Sequence, residues 1–190
     1  MRTRPPGGGL FAALATCVLS LAVAGEALSG QAVVTAEAQA YPAGVIVRLG
    51  AGTSYSGWSF TVLGGYNATD RRDWGEHEDE EGGGPGLGVR VARGPQHGGT
   101  GPYGEARLDL WFMDVDWIDN GGTRQGTSEL RVVQPTAGIG YQWRFGVGRL
   151  RLGAALGWEL NTALLGEPVG EGPILLVGFQ IDFGRGLGTP

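Results

Sequence analysis

The stretch Arg149 to Leu160, RLRLGAALGWEL, alternates with a period of two. Leu150, Leu152, Ala154, Leu156, Trp158 and Leu160 fall on one side; Arg149, Arg151, Gly153, Ala155, Gly157 and Glu159 fall on the other. Successive side chains leave opposite faces of a pleated strand, so this spacing specifies β-structure. It also poses a question about surroundings. In a sheet bathed in water the leucines turn to a core and the arginines to solvent, whereas in a barrel bathed in lipid the two assignments exchange.

The same period recurs along the chain. VIVRLGAGT sets Val45, Val47, Leu49 and Ala51 against Arg48, and WSFTVLGGY sets Trp58, Phe60, Val62 and Tyr66 against Ser59 and Thr61. GLGVRVAR opposes Leu87, Val89 and Val91 to Arg90; GEARLDLWF opposes Leu108, Leu110 and Phe112 to Glu105, Arg107, Asp109 and Trp111. RVVQPTAGIGYQWRF and LLVGFQIDF continue the pattern, and with the opening stretch they make seven strands. No helical period stands out. The connections alternate between short (SYSG, FGVGR) and long, with residues 67–83, 114–128 and 161–172 reading as long polar loops. Short turns at one end, long loops at the other and an even strand number are the signature of a bacterial outer-membrane barrel. AVVTAEAQA, Ala32 to Ala40, followed by the turn YPAG, supplies an eighth strand. In this order the final strand ends in the periplasm and the three long loops face outward.

The N-terminus adds a compartment. Arg2 and Arg4 precede an apolar run, Leu10 to Ala24, and small residues follow. That is the plan of a secretory signal peptide, and about 15 apolar residues fall short of the roughly 20 that span a bilayer. Cleavage is expected after Ala24 or Ala32, so residues 1–32 read as leader and 33–190 as one β-barrel domain. Cys17 lies inside the leader, which leaves the mature chain without disulfides or thiol chemistry. All 14 basic residues are Arg, and the formal charge of -5 argues against a general nucleic-acid binder.

Chemistry decides which face meets water. The polar face gathers Arg48, Arg90, Arg107, Asp109, Arg151 and Glu159 with many glycines between them. Charges of both signs facing one another can pair, and the interior of an eight-stranded barrel is just wide enough for side chains to fill it. Aromatics such as Trp58, Tyr66, Trp143, Phe145, Trp158 and Phe183 fall near strand ends, where interfacial girdles sit. The expected fold is therefore all-β, an eight-stranded antiparallel up-and-down transmembrane barrel. The interior charges act as a structural plug, so no wide pore is expected. A secreted or periplasmic soluble β-barrel binding a small ligand is the competing reading, because it produces the same alternation.

GFQIDF, Gly178 to Phe183, resembles the C-terminal assembly signal of bacterial outer-membrane proteins, a glycine followed at fixed spacing by apolar or aromatic residues, here Ile181 and Phe183. The chain departs from the common form by continuing for GRGLGTP and by carrying Leu176 where a polar residue is usual. With the leader and the strand pattern, the mature chain resembles the small outer-membrane β-barrel proteins of the OmpA/OmpX type. The block YNATDRRDWGEHEDEEGGGPGLG also resembles a strand-loop-strand of uncharacterised barrels of this sort. The resemblance implies a monomer in the bacterial outer membrane, in contact with its lipid and lipopolysaccharide. It further implies delivery by the barrel-assembly machinery through Gly178, Ile181 and Phe183.

Few residues suggest chemistry. In DRRDWGEHEDEE, Asp70 to Glu81, seven carboxylates outnumber Arg71 and Arg72, and Asp79, Glu80 and Glu81 are candidate ligands for a divalent cation. Their spacing matches no defined calcium loop, and a solvated external loop is favoured. DVDWIDNGG places Asp114 and Asp116 at calcium-loop spacing, but Asp119 is one place off and Asn120-Gly121 reads more simply as a turn. His77 with Ser56 or Ser128 is the candidate hydrolytic pair; nothing in the sequence brings them together, and His97 belongs to the opposite end of the barrel. No catalytic residue and no cofactor are expected.

Overall fold

The computed structural model describes residues 31–72, 75–96 and 99–184. Eight antiparallel strands pair in chain order and β1 closes on β8: β1 (Gln31–Tyr41), β2 (Gly44–Tyr55), β3 (Trp58–Arg72), β4 (Asp79–Arg93), β5 (Gly101–Asp119), β6 (Arg124–Phe145), β7 (Gly148–Leu165) and β8 (Gly172–Gly184). Closure gives every strand two neighbours and removes the unpaired edges an open sheet would expose. The leader lies outside the described residues apart from Gln31 and Ala32, which already pair with Ser54 and Thr53 of β2. His97 and Asp73 also lie outside them. Two-residue turns, 56–57 and 146–147, make two of the connections at the end where the barrel begins; Ser56 and Gly57, both at positive φ (47° and 86°), match the turn that follows the right-handed twist of a hairpin.

The alternation resolves in favour of lipid outside. Leu156 is 68% exposed on the outer wall, while Arg151, between Leu150 and Leu152 on the same strand, retains 1%. Val47, Phe60, Val89, Leu108, Ile139 and Phe179 are likewise exposed on other strands. On β5 the outward apolar run extends from Pro102 to Phe112. About ten residues at roughly 3.4 Å, tilted by about 45°, rise about 24 Å, close to the roughly 25 Å apolar band of an outer-membrane barrel. Water-soluble proteins rarely expose a contiguous apolar surface of this extent.

The structure corrects the expected loops. Residues 67–83, 114–128 and 161–172 are largely strand: the connections shrink to 73–78, 120–123 and 166–171. The period of two persists above the belt, but its polarity inverts. On β5 the outward positions change from Leu108, Leu110 and Phe112 to Asp114 and Asp116, and the inward ones from Arg107 and Asp109 to Trp111, Met113, Val115 and Trp117. On β6 the outward side carries Arg131 and Glu129 above Val133, while Leu130 and Val132 turn inward above Gln134. Where water replaces lipid outside, the ordinary rule of apolar inside and polar outside returns.

The interior is accordingly layered and not polar throughout. Tyr41, Ile46, Trp111, Met113, Leu130 and Leu176 form an apolar layer in its outer half. Glycines make room for it and for the charges beneath: a Cβ on inward Gly86 would overlap the Trp111 ring, and one on Gly88 the Asp109 carboxylate. Trp111 Nε1 donates to Gln134 Oε1 at 2.7 Å and the Tyr41 hydroxyl to Asn67 Oδ1 at 2.8 Å, so the polar tips of the layer are satisfied.

Two substitutions of similarly exposed leucines separate lipid from water. Leu156→Arg, near the middle of the belt, is expected to destabilise the barrel by about 2–4 kcal/mol in lipid vesicles. Leu165→Arg, 65% exposed but opposite Glu129 beyond the belt, is expected to stay within about 1 kcal/mol in the same urea-unfolding assay.

Candidate functional site

Two constellations carry the charge of the interior. The first fills the bore across the membrane. Glu37 of β1 accepts from three arginines: Arg48 Nη1 at 2.8 Å, Arg90 Nη1 at 2.9 Å and Arg107 Nη2 at 3.0 Å. Arg48 reaches on to Asp109 at 2.7 Å, and Arg107 to Glu105 at 3.1 Å. Towards the other end Arg149 holds Asp182 at 2.6 Å, and Arg151 donates to Gln142 at 3.1 Å while lying over the Tyr103 ring at 4.9 Å.

Some contacts join neighbouring strands, such as Arg48 of β2 with Glu37 of β1 and Arg149 of β7 with Asp182 of β8, and others are diametric braces. In a ring of eight, strands four apart in order face one another, and Arg107 of β5 meets Glu37 of β1 while Arg90 of β4 meets Gln180 of β8. A third brace, Arg71 of β3 to Glu159 of β7, crosses nearer the external end. Among the described residues, six arginines (48, 71, 90, 107, 149, 151) thus face six carboxylates (37, 80, 105, 109, 159, 182). None of these side chains retains more than 10% exposure. Neutrality is what makes such burial tolerable, since an unpaired ion would cost several kcal/mol. A space of about 10 Å³ beside Glu37, Tyr103, Glu105 and Arg107 has room for about one water molecule, not for a solute.

The second constellation is a cap at the external end, and Glu80 is its keystone. Its carboxylate, fully buried, accepts from Arg71 at 3.2 Å, from the backbone of Glu76 at 2.9 Å and His77 at 3.2 Å, and from the Gly170 N–H at 3.0 Å. One side chain thereby ties residues 75–77 to the 166–171 connection. His77 stacks on Trp117 of β5, centroids 4.3 Å apart and planes within 15°. Its Nδ1 lies 2.8 Å from Asp119 Oδ2 and its Nε2 3.0 Å from the Pro168 carbonyl oxygen. Arg124 sits over Trp117 and pairs with Asp119 at 3.6 Å and Glu167 at 2.8 Å.

Burial works against the charged form of His77, but the hydrogen bonds to Asp119 and Pro168, with the Asp119 and Glu80 charges, outweigh it and raise its pKa above 6.5. Asp119, bonded to His77 and to the Glu78 N–H, is held below the ordinary aspartate value.

The sequence-derived candidates separate. Arg48, Arg90, Arg107, Asp109 and Arg151 lie in the bore network, and Glu159 lies in the upper brace. Asp79, Glu80 and Glu81 are not a ligand set: strand alternation sends Glu80 inward, its oxygens already taken by Arg71 and backbone N–H groups, while Glu81 faces out. No group of three or more metal-ligating side chains is assembled among the described residues. Asp114 and Asp116 point outward from β5, and Asn120 and Gly121 form the turn at positive φ. Ser56 sits in the β2–β3 turn, at the opposite end from His77. Ser128 Oγ donates to the Glu167 carbonyl at 2.6 Å while His77 addresses the next carbonyl, Pro168, so the two side chains do not address each other.

Sequence reasoning passed over Glu37 as a hub and Arg71–Glu80 as an interior pair, the latter because it sits in a segment read as solvated loop. The available signal was alternation carried past Tyr66, which puts Arg71 on the same face as Asn67 and Thr69. Replacing the hub charge without changing its shape tests the network. Glu37→Gln leaves three buried arginines short of a partner and is expected to cost about 3–5 kcal/mol in urea unfolding from vesicles. Glu105→Gln, which removes one pair at the edge of the network, is expected to cost less.

No protein-family model and no curated relative matches the chain. Among solved structures it is similar to Neisserial surface protein A, with TM-score 0.50 and 16% identity over 80% of this chain and 94% of that one. It is also similar to the N-terminal β-barrel domain of Pseudomonas aeruginosa OprF, with TM-score 0.50 and 15% identity over 81% and 98% of the two chains. At such identity the likeness is one of fold. With the apolar belt, it supports a place in the bacterial outer membrane, and the architecture is that of the small eight-stranded outer-membrane β-barrels.

Proposed function

We propose that the chain is an integral bacterial outer-membrane protein that works as a sealed barrel. Its task is structural or one of surface interaction through a rigid acidic external end, and solute passage is not part of it. The observation that carries this reading is the filled bore: braces between facing strands, an apolar layer above them and a cap above that. The outward side above the belt is acidic, with Asp70, Glu76, Glu78, Glu81, Asp114 and Asp116 exposed. Lipid surrounds the belt, and lipopolysaccharide is the neighbour of the acidic strand ends.

In the same reading the N-terminal segment is a leader cleaved after Ala24 or Ala32, and Gly178, Ile181 and Phe183 present the terminal strand to the barrel-assembly machinery. Ile181 and Phe183 lie on the outward face and Gly178 on the inward one, so the two sides of β8 contribute differently. The barrel is a monomer, and no cofactor, catalytic group or nucleic-acid contact is assigned to it.

Reconstitution into planar bilayers tests the sealed bore, and the expected record shows no stable large conductance steps. Unheated protein in detergent is expected to migrate differently from boiled protein on a gel. Large steps would remove the plug, and a chain that stays folded and soluble without detergent would remove the membrane.

A further inference from the structure

Both ring nitrogens of His77 face acceptors. Asp119 Oδ2 is a carboxylate oxygen, and the Pro168 oxygen is a carbonyl with no proton to give. A neutral imidazole has one N–H and one lone pair, so it satisfies one of these partners and turns a lone pair towards the other. Only the imidazolium donates to both.

We propose that the external cap is a proton-dependent latch, in which the His77 imidazolium clamps residues 75–78 to the tip of β5 and to the 166–171 connection at once. Loss of one proton releases one of the two clamps. The groups around the ring support this assignment element by element. β5 supplies Asp119 and the stacked Trp117, β4 supplies Glu80, and β3 supplies Arg71, which pairs with Glu80. β6 supplies Arg124, neutralised by Asp119 and by Glu167 of the 166–171 connection, and the segment's own Glu76 and Glu78 are exposed acids. The surroundings favour the cation, and they do so from three separate elements.

The sign follows from the direction of the His77 shift. A histidine whose folded value lies above its unfolded value near 6.5 adds a contribution that is complete below that value. The contribution is lost as pH rises through the folded value. Asp119, held low, stays ionised throughout, so the titrating partner is the ring. Glu80 keeps its bonds to Arg71 and to the Gly170 N–H in either state, so release loosens the cap without unfolding the barrel. The latch is a property of the folded barrel and does not depend on what the acidic surface binds.

The test uses the full chain refolded in detergent. His77 imidazole resonances are followed from about pH 5.5 to about pH 9, alongside amide exchange of residues 75–78 and 166–171 corrected for its intrinsic pH dependence. The expected result is a His77 titration above 6.5, with exchange of both segments rising on the order of tenfold through the same interval, the scale of one charge-assisted hydrogen bond. Asp119→Asn is expected to move both transitions together to lower pH. His77→Phe keeps a ring to stack on Trp117 but has no N–H to donate and no proton to lose, so both clamps are absent and its corrected exchange is expected to be flat, at or above the rate wild type reaches at the alkaline end. Heat-modifiable migration checks that each variant is a folded barrel. Flat exchange in wild type, a transition unmoved by Asp119→Asn, a step that survives in His77→Phe, or a His77 titration at or below 6.5 would each overturn the latch.

Discussion

A guanidinium cannot rest inside a membrane-spanning wall unless a carboxylate meets it, and this barrel supplements neighbour pairs with partners placed across the bore. Side chains on one strand or on neighbours could pair and still leave a channel down the middle. Pairing between β1 and β5, β3 and β7, and a polar contact between β4 and β8 draw the side chains over the axis, so neutralisation and occlusion become one event. Such ion pairs are poor evidence of net stability, because desolvation offsets much of their attraction. They specify instead: a strand shifted by one residue would turn its charges to lipid and break every brace it shares.

The same chain answers the question of which face meets water in two opposite ways. Within the belt, leucines face out and arginines face in; above Phe112 and Val133, carboxylates face out and Trp, Met and Val face in. No break in the strands marks the change. The level at which polarity inverts is therefore an internal record of where lipid ends. It also explains why the bore has an apolar layer: above the belt water takes over the outside, and the core returns to the inside.

This inversion sets the limit of what was legible in the sequence. Strand order, strand number and the inward charges follow from period-two alternation together with a low dielectric outside, and these were readable. The external ends read as loop because Asp114 and Asp116 break the apolar pattern, although Met113, Val115 and Trp117 keep the period that Asp114 and Asp116 share. Arg71 and Glu80 are hidden in the same way, inward positions on strand ends crowded with outward charges. The braces were less accessible. Opposite strands follow from the ring of eight, but the height at which two inward charges meet depends on register and tilt, which no local pattern states. The cap depended on residues distant in sequence, Glu80 with Gly170 and His77 with Pro168, and the chain offers no periodic signal for either.

The orientation of β7 is the most direct point of attack. In a Cys17→Ser background, single cysteines placed in turn from Leu150 to Glu159 carry a nitroxide, and collisions with dissolved oxygen and with a water-soluble nickel chelate are compared in lipid vesicles. The account predicts frequent oxygen collisions and few nickel collisions at positions 150, 152, 154, 156 and 158, with both reagents excluded at 151, 153, 155, 157 and 159. Nickel reaching 151 and 159, while 152 and 156 stay shielded from both, would contradict it.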